Sequence, residues 1–256
     1  MYLTWTPWTI AWTALAVVTA VVLLFRTAPY GRHIRSDWGP TLPHRLGWIV
    51  MEVISPVALI AGLWWSIYPS MESLSGFQMG LVALWLGHYL YRALIYPYLM
   101  RWKEHRMPAV IMLSAVGFNL VNGGLNGVQI EAIVPPTAIS PMMWVGLSLF
   151  VGGLAMNVHS DAILRSLRKP GESGYRIPEG GFYRWVTCPN YLGEMLEWTG
   201  FALLAATPAA VAFAVWTAEP DSACPIPPQV VQESICSVSP TQKSRNPLRV
   251  IGERMT

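Results

Sequence analysis

Long apolar stretches separated by short polar segments dominate the chain. A transmembrane helix needs about 20 mostly apolar residues. Six stretches fit this pattern, and we predict spans at about residues 7–25, 46–68, 77–99, 107–124, 138–157 and 191–217. The first stretch carries no charge and lacks the basic segment and A-x-A site of a cleaved signal peptide, so we expect it to remain in the membrane.

Composition favours the same interpretation. Hydrophobic residues make up 53% of the 256 residues and charged residues only 12%, whereas soluble domains carry about 25% charge. A disordered chain is excluded, because disorder requires low hydrophobicity and high charge. The net charge of +3 argues against nucleic-acid binding, and the three cysteines do not form the pattern of a zinc site, so no metal is expected. The chain is predicted to be a one-domain, all-α polytopic membrane protein.

Basic residues are confined to alternate loops. The loops after the first, third and fifth spans contain all the loop lysines and arginines, whereas residues 69–76 and 125–137 contain none. Because basic loops stay in the cytoplasm, the pattern predicts an amino terminus outside.

Ionisable residues inside two spans are candidates for function, since burying them in a bilayer is costly. Glu52 lies about two turns into the second span and is interpreted as a buried acid that shares a proton, with an interfacial glutamate as the alternative. Tyr89 and Arg92 in the third span are three residues apart and share a helix face. Arg92 therefore needs a partner or an anionic ligand. For the nearby Tyr91, Tyr96 and Tyr98, an aromatic belt is the alternative to a functional role.

The densest polar cluster begins at the end of the fifth span. Asn157, Asp161, Arg165 and Arg168 are spaced to form one stripe on a helix that continues past the span and ends at Pro170-Gly171. Guanidinium groups suit phosphates, and an acid suits ribose hydroxyls. An ordinary amphipathic helix end with ion pairs is the alternative.

A second polar face opens the sixth span. Asn190, Glu194, Glu197 and Trp198 share it, and we expect its two carboxylates to pair with the cationic stripe of the fifth helix. The arrangement suits a dinucleotide, although no Rossmann fingerprint follows a strand. A purely structural ion-pair network is the alternative.

These motifs resemble those of the steroid 5-alpha-reductase family. The pattern N-x-H-S-D-x-I-L-R-x-L-R-K-P-G-E-x-x-Y-R-I-P-x-G-G covers Asn157 to Gly181, and N-[YF]-L-G-E-x-x-E-W covers Asn190 to Trp198. H-Y-x-x-R covers His88 to Arg92, and the Y-G-[KR]-H loop is Tyr30 to His33. The similarity extends over about residues 30–205. It is greater to the steroid branch than to polyprenol or trans-2-enoyl reductases.

The resemblance implies a seven-helix membrane reductase that uses NADPH to reduce the C4–C5 double bond of 3-oxo-4-ene steroids. With six spans found in the sequence, we predict six to seven transmembrane helices for this chain. The resemblance also implies that Glu52 and Tyr89 hydrogen-bond the 3-oxo oxygen. The implied cofactor-binding set, to which we add Arg92, comprises Arg92, Asn157, Asp161, Arg165, Arg168, Tyr175, Arg176, Asn190, Glu194 and Trp198.

A steroid or another lipid enone is expected to enter from the bilayer, and the cofactor from the cytoplasm. No nucleic acid and no obligate protein partner are expected. The short loops favour a bacterial inner membrane over the endoplasmic reticulum. Alternatives are a reductase of another lipid enone or enoyl substrate and a membrane methyltransferase of similar helical core, although the arginine stripe disfavours the latter.

The resemblance ends at about residue 218. Residues 219–256 are proline-rich and contain no stretch long enough to span a membrane, where the family implies a seventh helix and a tail with H-H-x-[WF]-Y. Back-translation of Glu219 to Glu233, shifted by one base, permits S-L-I-P-R-A-L-S-H-H-K-W-Y-K. We therefore divide the chain into a reductase domain, 1–218, and a tail, 219–256, that is hypothesised to be a frameshift product. A genuine divergent tail is the alternative.

Overall fold

A computed structural model describes residues 5–25, 39–68, 72–100, 106–167 and 178–218, and these parts of the chain are predominantly helical. The helices are α1 (Pro7–Phe25), α2 (His44–Ile67), α3 (Gly76–Leu90), α4 (Tyr96–Leu99), α5 (Ala109–Glu131), α6 (Pro141–Ser166), α7 (Pro189–Ala205) and α8 (Pro208–Thr217). A π-helical turn, Tyr91–Ile95, joins α3 to α4, and a 3-10 turn, Gly181–Arg184, precedes α7.

Three of the described helices, α2, α5 and α6, are long and apolar enough to cross a membrane. Helix α1 and the continuous segment from α3 to α4 lie where the first and third spans were predicted. The chain is therefore a helical protein of membrane type. A count of six to seven spans stays a prediction.

Two predicted spans have the wrong bounds. The fourth was predicted to end at residue 124, but α5 continues to Glu131, because the polar residues Asn122 and Asn126 are buried between helices instead of ending the helix. The sixth was predicted as one helix over 191–217. The chain instead breaks at Ala206, whose φ of 50° is left-handed, between α7 and α8.

Helix α8 folds back against α7. The rings of Trp198 and Phe213 lie 4.3 Å apart between centroids, whereas a continuous helix would separate residues fifteen apart by about 22 Å. The last apolar stretch is thus a helical hairpin. Counting α3 and α4 as one, α8 is the seventh helical segment among the described residues.

Two closely packed helix pairs form the frame. In the parallel pair, Gly123 and Gly127 of α5 press against the α2 backbone at Ser55 and Leu59. In the antiparallel pair, Gly153 of α6 lies against the backbone of α7 at Gly193. Small residues allow such close approach inside membranes, where water supplies no driving force between helices.

Buried rings join α3 to the α6–α7 pair, and a short sheet lies at one end of the α2–α5 pair. Trp85 of α3 packs edge-on against Trp198 and Phe201 of α7, at 5.0 and 5.3 Å between ring centroids. Strands β1 (Thr41–Pro43) and β2 (Arg106–Pro108) pair antiparallel and place the first turns of α2 and α5 at the same end of the molecule.

Candidate functional site

A single arginine holds carboxylates from three helices. Arg92 lies 3.8 Å from Glu52 of α2, 3.7 Å from Asp161 of α6 and 3.4 Å from Glu194 of α7, measured between nitrogen and oxygen. All four side chains are largely removed from solvent, with Arg92 at 12% exposure. Arg92 therefore links the α2–α5 pair to the α6–α7 pair.

The π-helical turn and two aromatic rings hold Arg92 in place. Its guanidinium carbon lies 4.8 Å from the ring centroids of Trp48 and Tyr96, a distance at which a cation is attracted to the ring faces. The indole nitrogen of Trp48 donates a 3.0 Å hydrogen bond to the Arg92 carbonyl. Such π-turns occur frequently at functional sites. The aromatic-belt interpretation of Tyr96 was wrong, because its ring is buried beside Arg92.

The two predicted catalytic residues lie in the same interior region. Tyr89 is 4% exposed and packs against Trp85 and Trp198. Its phenol lies beside the Ser55 hydroxyl, within electrostatic range of the Glu52 carboxylate. A phenol and a carboxyl group thus face one buried region from α3 and α2.

The predicted stripe on α6 meets the first turns of α7. Asn157 donates its amide hydrogens to the Asn190 carbonyl at 3.0 Å and to a Glu194 carboxylate oxygen at 3.2 Å. Arg165 donates to the Tyr91 hydroxyl at 3.4 Å, which extends the cluster to the π-turn. The Asn157–Glu194 contact depends on the close approach of Gly153 and Gly193 one turn away.

Buried acceptors in this cluster provide a test of whether NADPH fits. The Oδ1 atom of Asn157 and the Oδ2 atom of Asp161 are buried and accept no hydrogen bond from the described residues; the latter is the oxygen that lies 3.7 Å from Arg92, beyond hydrogen-bond distance. Leaving such atoms without a hydrogen bond is costly. A carboxamide and ribose hydroxyls are donors that suit them, and the arginine at position 165 suits a phosphate. The described residues therefore fit a nicotinamide dinucleotide.

Three predicted cofactor residues, Arg168, Tyr175 and Arg176, lie outside the described residues, as does the loop from Tyr30 to His33. The predicted helix end at Pro170 also lies outside them; α6 is described to Ser166.

The partners expected for Glu194 and Glu197 were wrong. Neither of their described ion pairs is with the arginine stripe of α6: Glu194 pairs with Arg92, and Glu197 pairs with His88. Sequence spacing identifies a shared helix face but not the helix that faces it.

Four residues of the region are missing from the predicted catalytic and cofactor-binding sets: Trp48, His88, Tyr96 and Glu197. The sequence had placed Glu197 on the polar face of the sixth span and His88 in the H-Y-x-x-R motif, and both carried a usable signal as ionisable side chains inside apolar stretches. The roles of Trp48 and Tyr96 depend on tertiary contact with Arg92.

The cluster lies toward the end of the molecule at which the basic loops attach. Arg45 in the first turn of α2 lies 5.5 Å from the ring of Tyr98 near the end of α4. Arg165 near the end of α6 reaches Tyr91 of the π-turn. The site is thus closest to the side that the basic loops predict to be cytoplasmic.

Comparisons with known proteins point to one family. Residues 105–220 match the family model described as 3-oxo-5-alpha-steroid 4-dehydrogenase. The 3-oxo-5-alpha-steroid 4-dehydrogenase 1 of Bos taurus is 37% identical over 210 residues, covering 80% of this chain and 80% of its own. The 3-oxo-5-alpha-steroid 4-dehydrogenase 2 of Mus musculus is 38% identical over 79% of this chain and 80% of its own. The steroid 5-alpha-reductase of Gossypium hirsutum is 35% identical over 74% of this chain and 75% of its own.

Proposed function

Since this chain belongs to the 3-oxo-5-alpha-steroid 4-dehydrogenase family and is therefore an oxidoreductase acting on CH–CH bonds, we propose that it uses NADPH to reduce the C4–C5 double bond of a 3-oxo-4-ene steroid. One observation carries the proposal. Glu52 and Tyr89, from α2 and α3, meet the polar face of α6 and α7 around Arg92 in a buried region.

The substrate end of the site would be formed by Tyr89 and Glu52. Tyr89 donates its phenolic hydrogen to the 3-oxo oxygen, and Glu52 in its protonated form donates a second hydrogen bond. These donors stabilise the negative charge that this oxygen gains when a hydride adds to the β carbon. The low dielectric of the surrounding apolar rings strengthens both interactions.

The cofactor end would be formed by the face shared by α6 and α7. NADPH, when bound, supplies the hydride. Asn157 and Asp161 offer buried acceptors to its donors, and Arg165, with Arg168 and Arg176 of the following segment, binds its phosphates. Tyr175, Asn190, Glu194 and Trp198 frame the cofactor.

Arg92 would act between the two ends. It was predicted to meet a cofactor anion, but its described partners are carboxylates of α2, α6 and α7. Its positive charge offsets these acids and holds Glu52 toward the cofactor face. A phosphate contact of Arg92 stays a proposal.

The membrane arrangement follows from the basic loops. We propose that the chain crosses the bilayer with its amino terminus outside and its cofactor site on the cytoplasmic side, in a bacterial inner membrane. The steroid enters laterally from the lipid, and membrane lipid is the surrounding partner.

The direct test is NADPH oxidation, followed at 340 nm with purified protein in detergent. Testosterone or progesterone should stimulate oxidation, whereas the 4,5-saturated product of each steroid should not. If NADPH is oxidised only with another lipid enone, the proposed reduction chemistry stands and the proposed steroid substrate is wrong. Methyl transfer from S-adenosylmethionine, with no NADPH oxidation, would contradict the proposal.

A further inference from the structure

A buried histidine–carboxylate pair lies outside the site assigned above. The Nδ1 atom of His88 on α3 is 2.8 Å from a carboxylate oxygen of Glu197 on α7. The two side chains are 4% and 0% exposed. Neither residue belongs to the catalytic or cofactor-binding sets proposed above.

The pair is located between those two sets. His88 directly precedes Tyr89, and their rings meet edge to face at 4.9 Å between centroids. Glu197 directly precedes Trp198, whose ring lies 4.7 Å from that of His88. A shift of either member therefore moves a residue proposed to bind substrate or cofactor.

The way the helices pack makes the His88–Glu197 bond important for the position of α3 relative to α7. Close glycine packing occurs within the α2–α5 pair and within the α6–α7 pair. Between α3 and α7, the other described contacts are mainly aromatic ring contacts, such as Trp85 on Trp198. The His88–Glu197 bond is directional, so it fixes the register of α3 against α7.

The energetics also favour a geometric role. Burying a charge pair costs desolvation energy that its attraction repays only when the geometry is excellent. The second oxygen of Glu197 is buried and accepts no hydrogen bond from the described residues. The carboxylate is thus held through one oxygen, and an apolar pair would fill the same space without that cost.

We propose that His88 and Glu197 are positioning residues, which set the distance between the substrate held at Tyr89 and the cofactor held on α7. The inference rests on the proposed function. Reacting atoms must approach to about 3–3.5 Å, and a misplacement of 1 Å can cost about 100-fold in rate.

The test compares three substitutions of Glu197 in the full-length protein. Glu197→Ala removes the link and should lower kcat about 100-fold, while the Kd for NADPH, measured by tryptophan quenching, changes less than about threefold. Glu197→Asp keeps the charge but shortens the side chain, and it should lower kcat about tenfold with a larger primary isotope effect from 4-deuterated NADPH. Glu197→Gln retains a side-chain oxygen that accepts a hydrogen bond from His88, so it should keep most of the wild-type kcat.

Two further variants separate positioning from simple support. Combining His88→Ala with Glu197→Ala should be no worse than either alone, because both break one link. Gln78→Ala is the matched control, since Gln78 also lies on α3 and donates from its side chain to the carbonyls of Ile130 and Glu131, away from the site. It should lower Tm while kcat and the isotope effect stay unchanged.

The outcomes are distinct. If Glu197→Asp keeps the wild-type kcat and isotope effect, or if Glu197→Gln is as impaired as Glu197→Ala, the positioning role is wrong although the reductase assignment stands. If no steroid or lipid enone supports NADPH oxidation by the wild-type protein, the proposed function itself is contradicted. The Asp and Gln variants keep the test decisive if the Ala variant fails to fold.

Discussion

At the scale of single residues, Arg92 explains how so many acids are accommodated inside an apolar frame. Its two terminal nitrogens serve Glu52, Asp161 and Glu194, and its flat faces meet the rings of Trp48 and Tyr96. A lysine could not do the same, because only the planar guanidinium combines several donors with stacking. Arg92, for which the sequence predicted a partner or an anionic ligand, has these three carboxylates as its described partners.

Removing the two proposed oxyanion donors should affect turnover more than binding. Tyr89→Phe and Glu52→Leu should each lower kcat by roughly 10²–10³ in the NADPH oxidation assay, because neither replacement can donate a hydrogen bond to the 3-oxo oxygen. The Kd for NADPH should stay near the wild-type value. The fold should persist in Glu52→Leu, because Arg92 keeps Asp161 and Glu194 as partners.

Two matched variants serve as controls for these substitutions. Tyr98 is 66% exposed, so Tyr98→Phe should leave kcat unchanged, and Glu131→Leu at the end of α5 should do the same. Full activity of Glu52→Leu would show that the acid has been assigned wrongly.

At the scale of elements, the site depends on how closely α6 and α7 approach. A methyl group on Gly153 would overlap the Gly193 carbonyl and come within 2.5 Å of the Glu197 nitrogen. One turn farther along α6, Asn157 makes its contacts with Asn190 and Glu194. The glycine contact thus brings together the residues proposed to hold the cofactor.

Widening this contact should disrupt the cofactor site. Gly153→Ala forces α7 away from α6, and it should lower Tm and weaken NADPH binding at least about tenfold, the cost of one lost charge-assisted hydrogen bond. Gly152→Ala is the matched control, because a methyl group at Gly152 meets nothing within 4 Å. It should leave Tm unchanged or slightly higher, since alanine favours a helix over glycine. Equal effects of both substitutions, measured by thermal unfolding and tryptophan quenching, would contradict this account.

At the scale of the whole molecule, two helix pairs enclose a polar region near the basic end of an otherwise apolar body. Helices α2, α5 and α6 have the length and apolarity of membrane spans, and the hairpin of α7 and α8 packs its rings against Trp85 of α3. In the proposed function, this arrangement lets an apolar substrate and a charged cofactor approach from different surroundings. The match to the family model extends to residue 220, which is where the proline-rich tail begins.

The tail hypothesis makes a prediction about the gene. We expect the nucleotide sequence across codons 210–256 to contain, in the shifted frame, a histidine pair followed by a basic residue, tryptophan and tyrosine. The protein with the restored segment should bind NADPH more tightly than the 256-residue chain, because the resemblance implies that a histidine and a tyrosine of that segment contribute to the cofactor site. A continuous reading frame through Thr256 with no such shifted segment would exclude the frameshift.

The sequence alone determined where most helices lie and which residues are candidates for chemistry. The length of an apolar stretch can be read from the local sequence. The residue ranges of α1, α2 and the α3–α4 segment therefore coincide with predicted spans. Rare ionisable residues in apolar stretches are equally visible, and Glu52, Tyr89, Asn157 and Asp161 do meet in one region.

Tertiary structure decided the partners and the breaks. Helical periodicity shows that Glu194 and Glu197 share a face, but only packing shows that this face meets Arg92 and His88 of α3 and its π-turn. The left-handed residue between α7 and α8 is an alanine, which has no intrinsic preference for that conformation, so no local signal marked the turn. Local spacing specifies faces, whereas the choice among possible neighbours depends on contacts between residues far apart in the chain.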